Sequence, residues 1–159
     1  MLEPITLVPK SRSMMASWTI AGAACHVCQT KPATAVVVQS RDEDRSKKIV
    51  EYVKILYERS MPAWKDRHPL ARPMSQQAEV ICEWENHSWV KAITGNPNKI
   101  RSEHPTIVCF DEAAFMDEFE ECFNVAAGAK PLHVWAVSSA APGPFFDIFE
   151  SASPIDYPH

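Results

Sequence analysis

Short continuous apolar runs alternate along the chain with longer segments that have one apolar face. Four runs, at residues 5–8, 34–39, 106–110 and 131–137, are rich in aliphatic and β-branched residues. Runs of this kind are typical of strands in a parallel sheet, because helices cover both faces of such a sheet. The pattern therefore predicts a mainly parallel sheet.

Helical spacing of apolar residues fills the segments between these runs. Residues 14–28 and 115–126 have apolar side chains every three or four positions, which predicts two helices. A third helix is predicted to start at Ser40, because Ser40 and Glu43 form a capping-box pattern. The phenylalanines within 145–149 predict a last helix.

Prolines and polar residues mark the remaining segments. Residues 60–77, with three prolines, and the polar stretch 95–105 are predicted to be loops. Residues 78–83 and 89–93 predict two short strands joined by a polar turn, which is a β-hairpin. The whole order of strands and helices predicts an α/β fold, in which ligands bind outside the carboxyl ends of the strands.

Composition limits the classes of function. The chain has 159 residues, and 46% hydrophobic residues against 23% charged ones fit a single compact domain. Its net charge of −4 is the wrong sign for holding nucleic acid by bulk electrostatics, so any DNA contact must be local. Because the sequence has neither a run of eighteen apolar residues nor a secretory leader, we expect a cytoplasmic protein without membrane contact.

Five cysteines suit buried thiols in a reducing compartment. Cys25 and Cys28 form a lone C-x-x-C motif, which is compatible with half a zinc site or a redox pair. No second pair follows at a suitable spacing, and the motif lies in a predicted helix of small apolar residues. Packed thiols are therefore the favoured interpretation.

Residues 10–18 join the first predicted strand to the first predicted helix, which is where a nucleotide phosphate would be bound. A standard phosphate loop, the Walker A motif, reads G-x-x-x-x-G-K-[ST]. Aligned on this segment, it places Lys10 and Met15 at the glycine positions, Ala16 at the lysine position and Ser17 at the hydroxyl position. Only the hydroxyl is kept, and a side chain at Met15 restricts how closely the backbone can approach a phosphate.

A second and more specific feature is the apolar run 106–110, which ends in Asp111 and Glu112 as a Walker B motif does. Two adjacent carboxylates can divide the work of a nucleotide hydrolase. Asp111 would hold Mg²⁺ together with Ser17, while Glu112 would orient or polarise the attacking water.

Further polar residues could complete this site. Lys10 and Arg12 would supply the cations that the missing lysine would give, and Ser138 and Ser139 could sense a γ-phosphate. Each feature also has an ordinary structural explanation, because acidic pairs cap helices, exposed cations are solvated and paired serines mark turns. Their order and spacing, taken together, favour a nucleotide site.

Five segments in the same order resemble the ATPase domain of the large terminase subunit, the DNA-packaging motor of tailed phages. The matching segments are 10–17, 38–40, 100–105, 107–115 and 138–142, with Phe145 and Phe146 beyond. The family is similar in tolerating a deviant phosphate loop, with a displaced lysine or an early arginine, as Lys10 and Arg12 are placed here.

The resemblance implies a P-loop NTPase-like three-layer sandwich with a mainly parallel central sheet and a β-hairpin insertion near 78–93. It implies Mg²⁺-dependent ATP hydrolysis that drives double-stranded DNA into a procapsid in the host cytoplasm. The implied partners are DNA, the portal, the small terminase subunit and further copies of the chain in a ring. The implied site residues are Glu112 and Arg12 for catalysis, Lys10, Ser11, Arg12, Ser13, Met14, Met15, Ala16 and Ser17 for the nucleotide, Ser17 and Asp111 for the metal, and Ser138 and Ser139 for coupling.

Residues 1–159 are expected to form a partial ATPase domain, without the nuclease domain of the family. Two other hypotheses stay open. One is a truncated, non-catalytic remnant of the same fold that serves in binding or assembly. The other is a different P-loop motor such as a helicase, against which the segment 100–105 stands.

Overall fold

The computed structural model describes residues 5–11, 14–65 and 71–152, with the backbone alone for 61–65 and 152. The strands are β1 (Ile5–Lys10), β2 (Ala35–Ser40), β3 (Met74–Gln77), β4 (Ile81–Trp84), β5 (Trp89–Ala92), β6 (Ile107–Asp111) and β7 (His133–Ser139). The helices are α1 (Ala16–Thr30), α2 (Glu43–Lys65), α3 (Pro97–Glu103), α4 (Phe119–Gly128) and α5 (Pro144–Ala152). No helix in these ranges is long and apolar enough to span a membrane.

The seven described strands form one sheet in the order β1-β7-β6-β2-β5-β4-β3. Neighbouring strands from β1 to β5 are parallel, while β4 and β3 are antiparallel additions. Helices pack on both faces, so the predicted α/β fold with a mainly parallel sheet is confirmed. Because four of the strands run side by side in one direction, β1, β7, β6 and β2 end at the same edge.

The hairpin predicted near 78–93 is formed by β4 and β5. It continues the central sheet, because β5 pairs in parallel with β2 over Ala35–Val38. The sheet extends by one further strand, β3, which the sequence did not predict. Its side chains are mostly exposed and polar, so it lacks the apolar signal of a buried strand.

Two hydrophobic clusters lie on opposite faces of the sheet. One contains residues of α1 and α2 with Val36 and Val38 of β2, while the other contains residues of α3, α4 and α5 with Val37. Successive side chains of a strand point to opposite faces. Ser40 and its partner Asp111 therefore lie on the α1 and α2 face.

The predicted capping box is wrong by two residues. Ser40 is the last residue of β2 and is held in the ladder opposite Asp111. The start of α2 is capped instead by Asp42, whose Oδ1 accepts a hydrogen bond from the N–H of Arg45 at 2.8 Å. Pairing in the sheet has overridden the local pattern at Ser40.

Two predicted loops are partly helical. Within 60–77, α2 continues to Lys65 and β3 follows, while residues 66–70 lie outside the described part. Within 95–105, α3 begins after Asn96, whose side chain accepts from the N–H of Asn98 at 2.9 Å. Pro97 fits the first position of α3 because a proline needs no hydrogen bond from its nitrogen there.

All five cysteines are buried free thiols, which confirms the interpretation as packed side chains. Burial raises the pKa of Cys25 to about 12 and that of Cys82 to about 11. Thiols this hard to ionise are poor nucleophiles and poor metal ligands. Among the described residues, no group of three or more His, Cys, Asp or Glu side chains is placed to hold a metal ion.

Candidate functional site

Polar residues meet where four parallel strands end. The last residues of β1, β7, β6 and β2 are Lys10, Ser139, Asp111 and Ser40. The register places Lys10 beside Ser139 and Asp111 beside Ser40. The structure therefore brings the predicted residues of separate strands to one edge of the sheet.

Ser17 and Asp111, predicted as the metal pair, are in direct contact. The Oγ of Ser17, in the first turn of α1, donates a hydrogen bond to Oδ2 of Asp111 at 2.5 Å. Asp111 is only 4% exposed, and its Oδ1 is buried without a hydrogen-bond partner. A buried acceptor of this kind is costly unless a cation or another donor reaches it.

The electrostatics of Asp111 are dominated by burial. Removal from water raises the pKa of this carboxyl above its usual value, and the adjacent Glu112 raises it further. The hydrogen bond from Ser17 and the charge of Lys10 act in the opposite direction without reversing the shift. A cation placed against Asp111 would therefore stabilise its charged form.

Helix α1 begins without a side-chain cap. Met15 occupies the capping position with φ 52° and ψ 27°, and its carbonyl accepts from the N–H groups of Trp18 and Thr19. The first turn contains no acidic residue. The positive end of the helix dipole is thus left without an anion from the helix's own first turn, as in helices that bind phosphate.

The segment before α1 is only partly described. Ser11 and Met14 are exposed, and Ala16 packs against the core beneath α1. Arg12 and Ser13, predicted as nucleotide contacts, lie outside the described residues. Lys10 belongs to β1 and is the cation whose charge acts on Asp111.

Met15 has the backbone conformation that the glycine of a phosphate loop would have. Its positive φ lies in the left-handed region, which favours glycine because a Cβ is strained there. The side chain is 67% exposed, so packing does not compensate for the strain. The sequence pattern failed at this position, whereas the backbone keeps the required shape.

Replacing Met15 with glycine is therefore expected to leave the free energy of unfolding unchanged, or to raise it by up to about 1 kcal/mol. Met14→Gly is the matched control, since Met14 is also exposed but is not among the residues with positive φ. That control should lose about 0.5–1 kcal/mol. Urea denaturation measures both, and equal losses would contradict the assignment of strain to Met15.

Glu112 has a position that the sequence did not predict. It follows Asp111 with φ 55°, and its Oε1 accepts from Nη1 of Arg45 at 3.0 Å. Nε of Arg41 lies 3.6 Å from the other carboxylate oxygen. Both arginines belong to the start of α2, which the sequence pattern presented as a solvated face.

Two more strand-end residues reach this region. Ser138 is buried on the opposite face, where its Oγ accepts from the N–H of Ala114 in the turn after Glu112. Both predicted serines belong to β7, so the alternative of a turn is wrong. Ser40 was missed as a site residue: its hydroxyl is buried without a hydrogen-bond partner beside Asp111. A serine that closes an apolar strand next to a Walker B strand was the available signal.

Comparison of the sequence with protein-family models and with curated proteins finds no match. Solved structures do match. The large terminase ATPase domain of Thermus phage P74-26 superposes with a TM-score of 0.70 and 14% identity, over 91% of this chain and 63% of that one. The HK97 bacteriophage large terminase gives 0.67 and 13%, over 94% and 32%. The large terminase of another, thermophilic bacteriophage gives 0.52 and 12%, over 84% and 33%.

The class that the fold defines is a mixed α/β domain with a mainly parallel, helix-flanked sheet. Within that class, the chain has the fold of the phage large terminase ATPase domain. The resemblance noted from five sequence segments is thus confirmed at the level of fold. The chain spans 63% of the isolated P74-26 domain and about a third of the two other terminases.

Proposed function

We propose that residues 1–159 form part of the ATPase domain of a phage DNA-packaging motor, which hydrolyses ATP to move double-stranded DNA into a procapsid. The observation that carries the proposal is the contact between Ser17 and Asp111. It joins the start of α1 to the end of β6, the two places where a nucleotide hydrolase needs a metal hydroxyl and a metal carboxylate.

The residues present fit ATP and Mg²⁺. Mg²⁺ prefers a few oxygen ligands and keeps part of its water shell, and Ser17 Oγ and Asp111 supply such oxygens. The unpartnered Oδ1 and the raised pKa of Asp111 both favour a cation there. When bound, Mg²⁺ would neutralise charge on the phosphate oxygens. Lys10, Arg12 and the uncapped start of α1 would hold the phosphates within the nucleotide segment 10–17.

Hydrolysis needs a group that orients water, and Glu112 is the proposed residue. It follows the metal carboxylate directly, and its Oε2 is buried without a hydrogen-bond partner, so it retains capacity to accept from a water. Arg12 is proposed to stabilise charge on the transferred phosphate. Ser138, bonded to the turn after Glu112, and Ser139, beside Lys10, are the proposed coupling residues.

The motor would act with further components. DNA, a portal, a small terminase subunit and a ring of copies are proposed as partners, with the nuclease domain absent from these residues. With a net charge of −4, DNA contact must come from a local patch. Stimulation of hydrolysis by a procapsid portal, rather than by a forked duplex, would support a packaging motor over a helicase.

Titration calorimetry with a non-hydrolysable ATP analogue tests the site. We expect Mg²⁺-dependent binding at one site, weakened about tenfold or more in Ser17→Ala because a metal ligand and its hydrogen bond are lost. Ser102→Ala is the matched control, an exposed serine on α3 whose hydroxyl bonds only a helix carbonyl. Absence of binding in the wild-type chain would favour the non-catalytic remnant that serves in assembly.

A further inference from the structure

A pair of arginines holds the carboxylate of Glu112 at the edge of the sheet. Arg45 donates from Nη1 to Oε1 at 3.0 Å, and Nε of Arg41 lies 3.6 Å from Oε2. Glu112 is 67 residues away from Arg45 in sequence. The side chain of Glu112 is 23% exposed, against 43% for Arg41 and 48% for Arg45, so the carboxylate is the most enclosed member.

The backbone of Glu112 explains this contact. In regular strand conformation, Glu112 would point to the face opposite Asp111, toward α4. Its φ of 55° interrupts the alternation, and its side chain reaches the start of α2 on the same face as Asp111. Left-handed conformation at a non-glycine residue costs about 1–2 kcal/mol, so surrounding contacts must maintain it.

The arginines are themselves fixed by a second carboxylate. Nε of Arg41 lies 3.1 Å from Oδ2 of Asp42, and Nε of Arg45 lies 3.7 Å from the same oxygen. Asp42 is in turn held by its capping hydrogen bond to the N–H of Arg45. Two guanidinium groups are thus presented to Glu112 from a constrained helix start.

We propose that Arg41 and Arg45 are positioning residues for Glu112 in ATP hydrolysis, a role that rests on the proposed function. They hold Oε1 by a hydrogen bond, while Oε2 keeps its hydrogen-bonding capacity for the attacking water. Their action is on the direction of the carboxylate, whereas nucleotide binding uses the separate residues of the segment 10–17. Loss of the pair should therefore lower turnover with little change in apparent ATP affinity.

The experiment measures steady-state ATP hydrolysis by the full-length protein carrying Arg41→Ala, Arg45→Ala or both. We expect the double variant to lower kcat about 10-fold to 100-fold, the range for a misplaced catalytic group, while KM changes less than about twofold. Arg45→Lys should recover part of kcat, because it keeps the charge but loses the guanidinium geometry. Lys48→Ala, which breaks an exposed pair with Glu51 on the same helix, should leave kcat unchanged.

The possible results separate a positioning role from its alternatives. An unchanged or higher kcat in the double variant overturns the inference, a higher value meaning that the arginines restrain Glu112 in an inactive position. A fall in kcat that Lys48→Ala reproduces also overturns it, because the effect would then be a general one on α2. Failure of the wild-type protein to hydrolyse ATP removes the proposed function itself, whereas active wild type with unaffected arginine variants removes only the positioning role.

Discussion

Replacing Glu112 with glutamine is expected to lower kcat for ATP hydrolysis by about 100-fold to 10,000-fold, the usual contribution of a general base. Glutamine keeps the size of the side chain but accepts a proton far less readily. Nucleotide binding should be retained, because Ser17 and Asp111 are unchanged and lie at the helix end of the site. Single-turnover hydrolysis, together with calorimetric affinity for an ATP analogue, measures both parts.

A matched control for this substitution is Glu120→Gln. Glu120 is an exposed carboxylate of α4, on the other face of the sheet from Asp111. It should leave hydrolysis unchanged, so a general effect of lost negative charge can be recognised. Undiminished hydrolysis in Glu112→Gln would remove Glu112 from the mechanism.

Replacing Asp111 with asparagine is expected to have two opposite effects. It should abolish Mg²⁺-dependent nucleotide binding, because a neutral amide is a much weaker ligand for a hard cation. It should also stabilise the metal-free protein at neutral pH by about 1 kcal/mol, as is common when a strained functional group is removed. An increase of about 2–4 °C in Tm is the corresponding shift for a domain of this size.

The pH dependence of that gain has a defined sign. Burial raises the pKa of Asp111 in the folded state, so the folded chain binds a proton more tightly than the unfolded chain. Wild-type stability from this group is therefore full below the unfolded value of 3.8 and is lost as pH rises through the raised folded pKa. The difference between Asp111→Asn and wild type should shrink in acid.

Thermal unfolding with and without Mg²⁺, at neutral and acidic pH, tests both effects of this substitution. Asp117→Asn is the control, since Asp117 is an exposed carboxylate outside the strand ends. A Tm for Asp111→Asn below that of wild type at neutral pH would show that the carboxylate stabilises the metal-free fold. Retained Mg²⁺-dependent binding would remove Asp111 as a metal ligand.

The central strands could be predicted from the sequence because burial on both faces leaves a continuous apolar run. β2, with Val36, Val37 and Val38 fully buried, is the clearest case. β3 could not be predicted, since a polar edge strand has no such signal. The start of α2 was misplaced because a long-range ladder held Ser40 in β2, an effect that local capping rules do not contain.

The site was predictable in outline and not in detail. Once strands 5–8, 106–110 and 131–137 were assigned to a parallel sheet, the convergence of Lys10 and Asp111 followed from the direction of the strands. The contact of Glu112 with α2 did not follow, because it depends on the positive φ of a single residue. Strand alternation alone would have placed that carboxylate on the wrong face.

The parallel order of the sheet also has a consequence for folding kinetics. Ser17 and Asp111 are 94 residues apart, and the ladder that completes the edge joins Ile5 to Val134. Closing such large loops is slow compared with forming hairpins or helices. The ligands of the site therefore come together only late in folding, after β6 and β7 have joined β1. A nucleotide that binds there would select fully folded chains, so its protection against proteolysis would report complete assembly of the sheet.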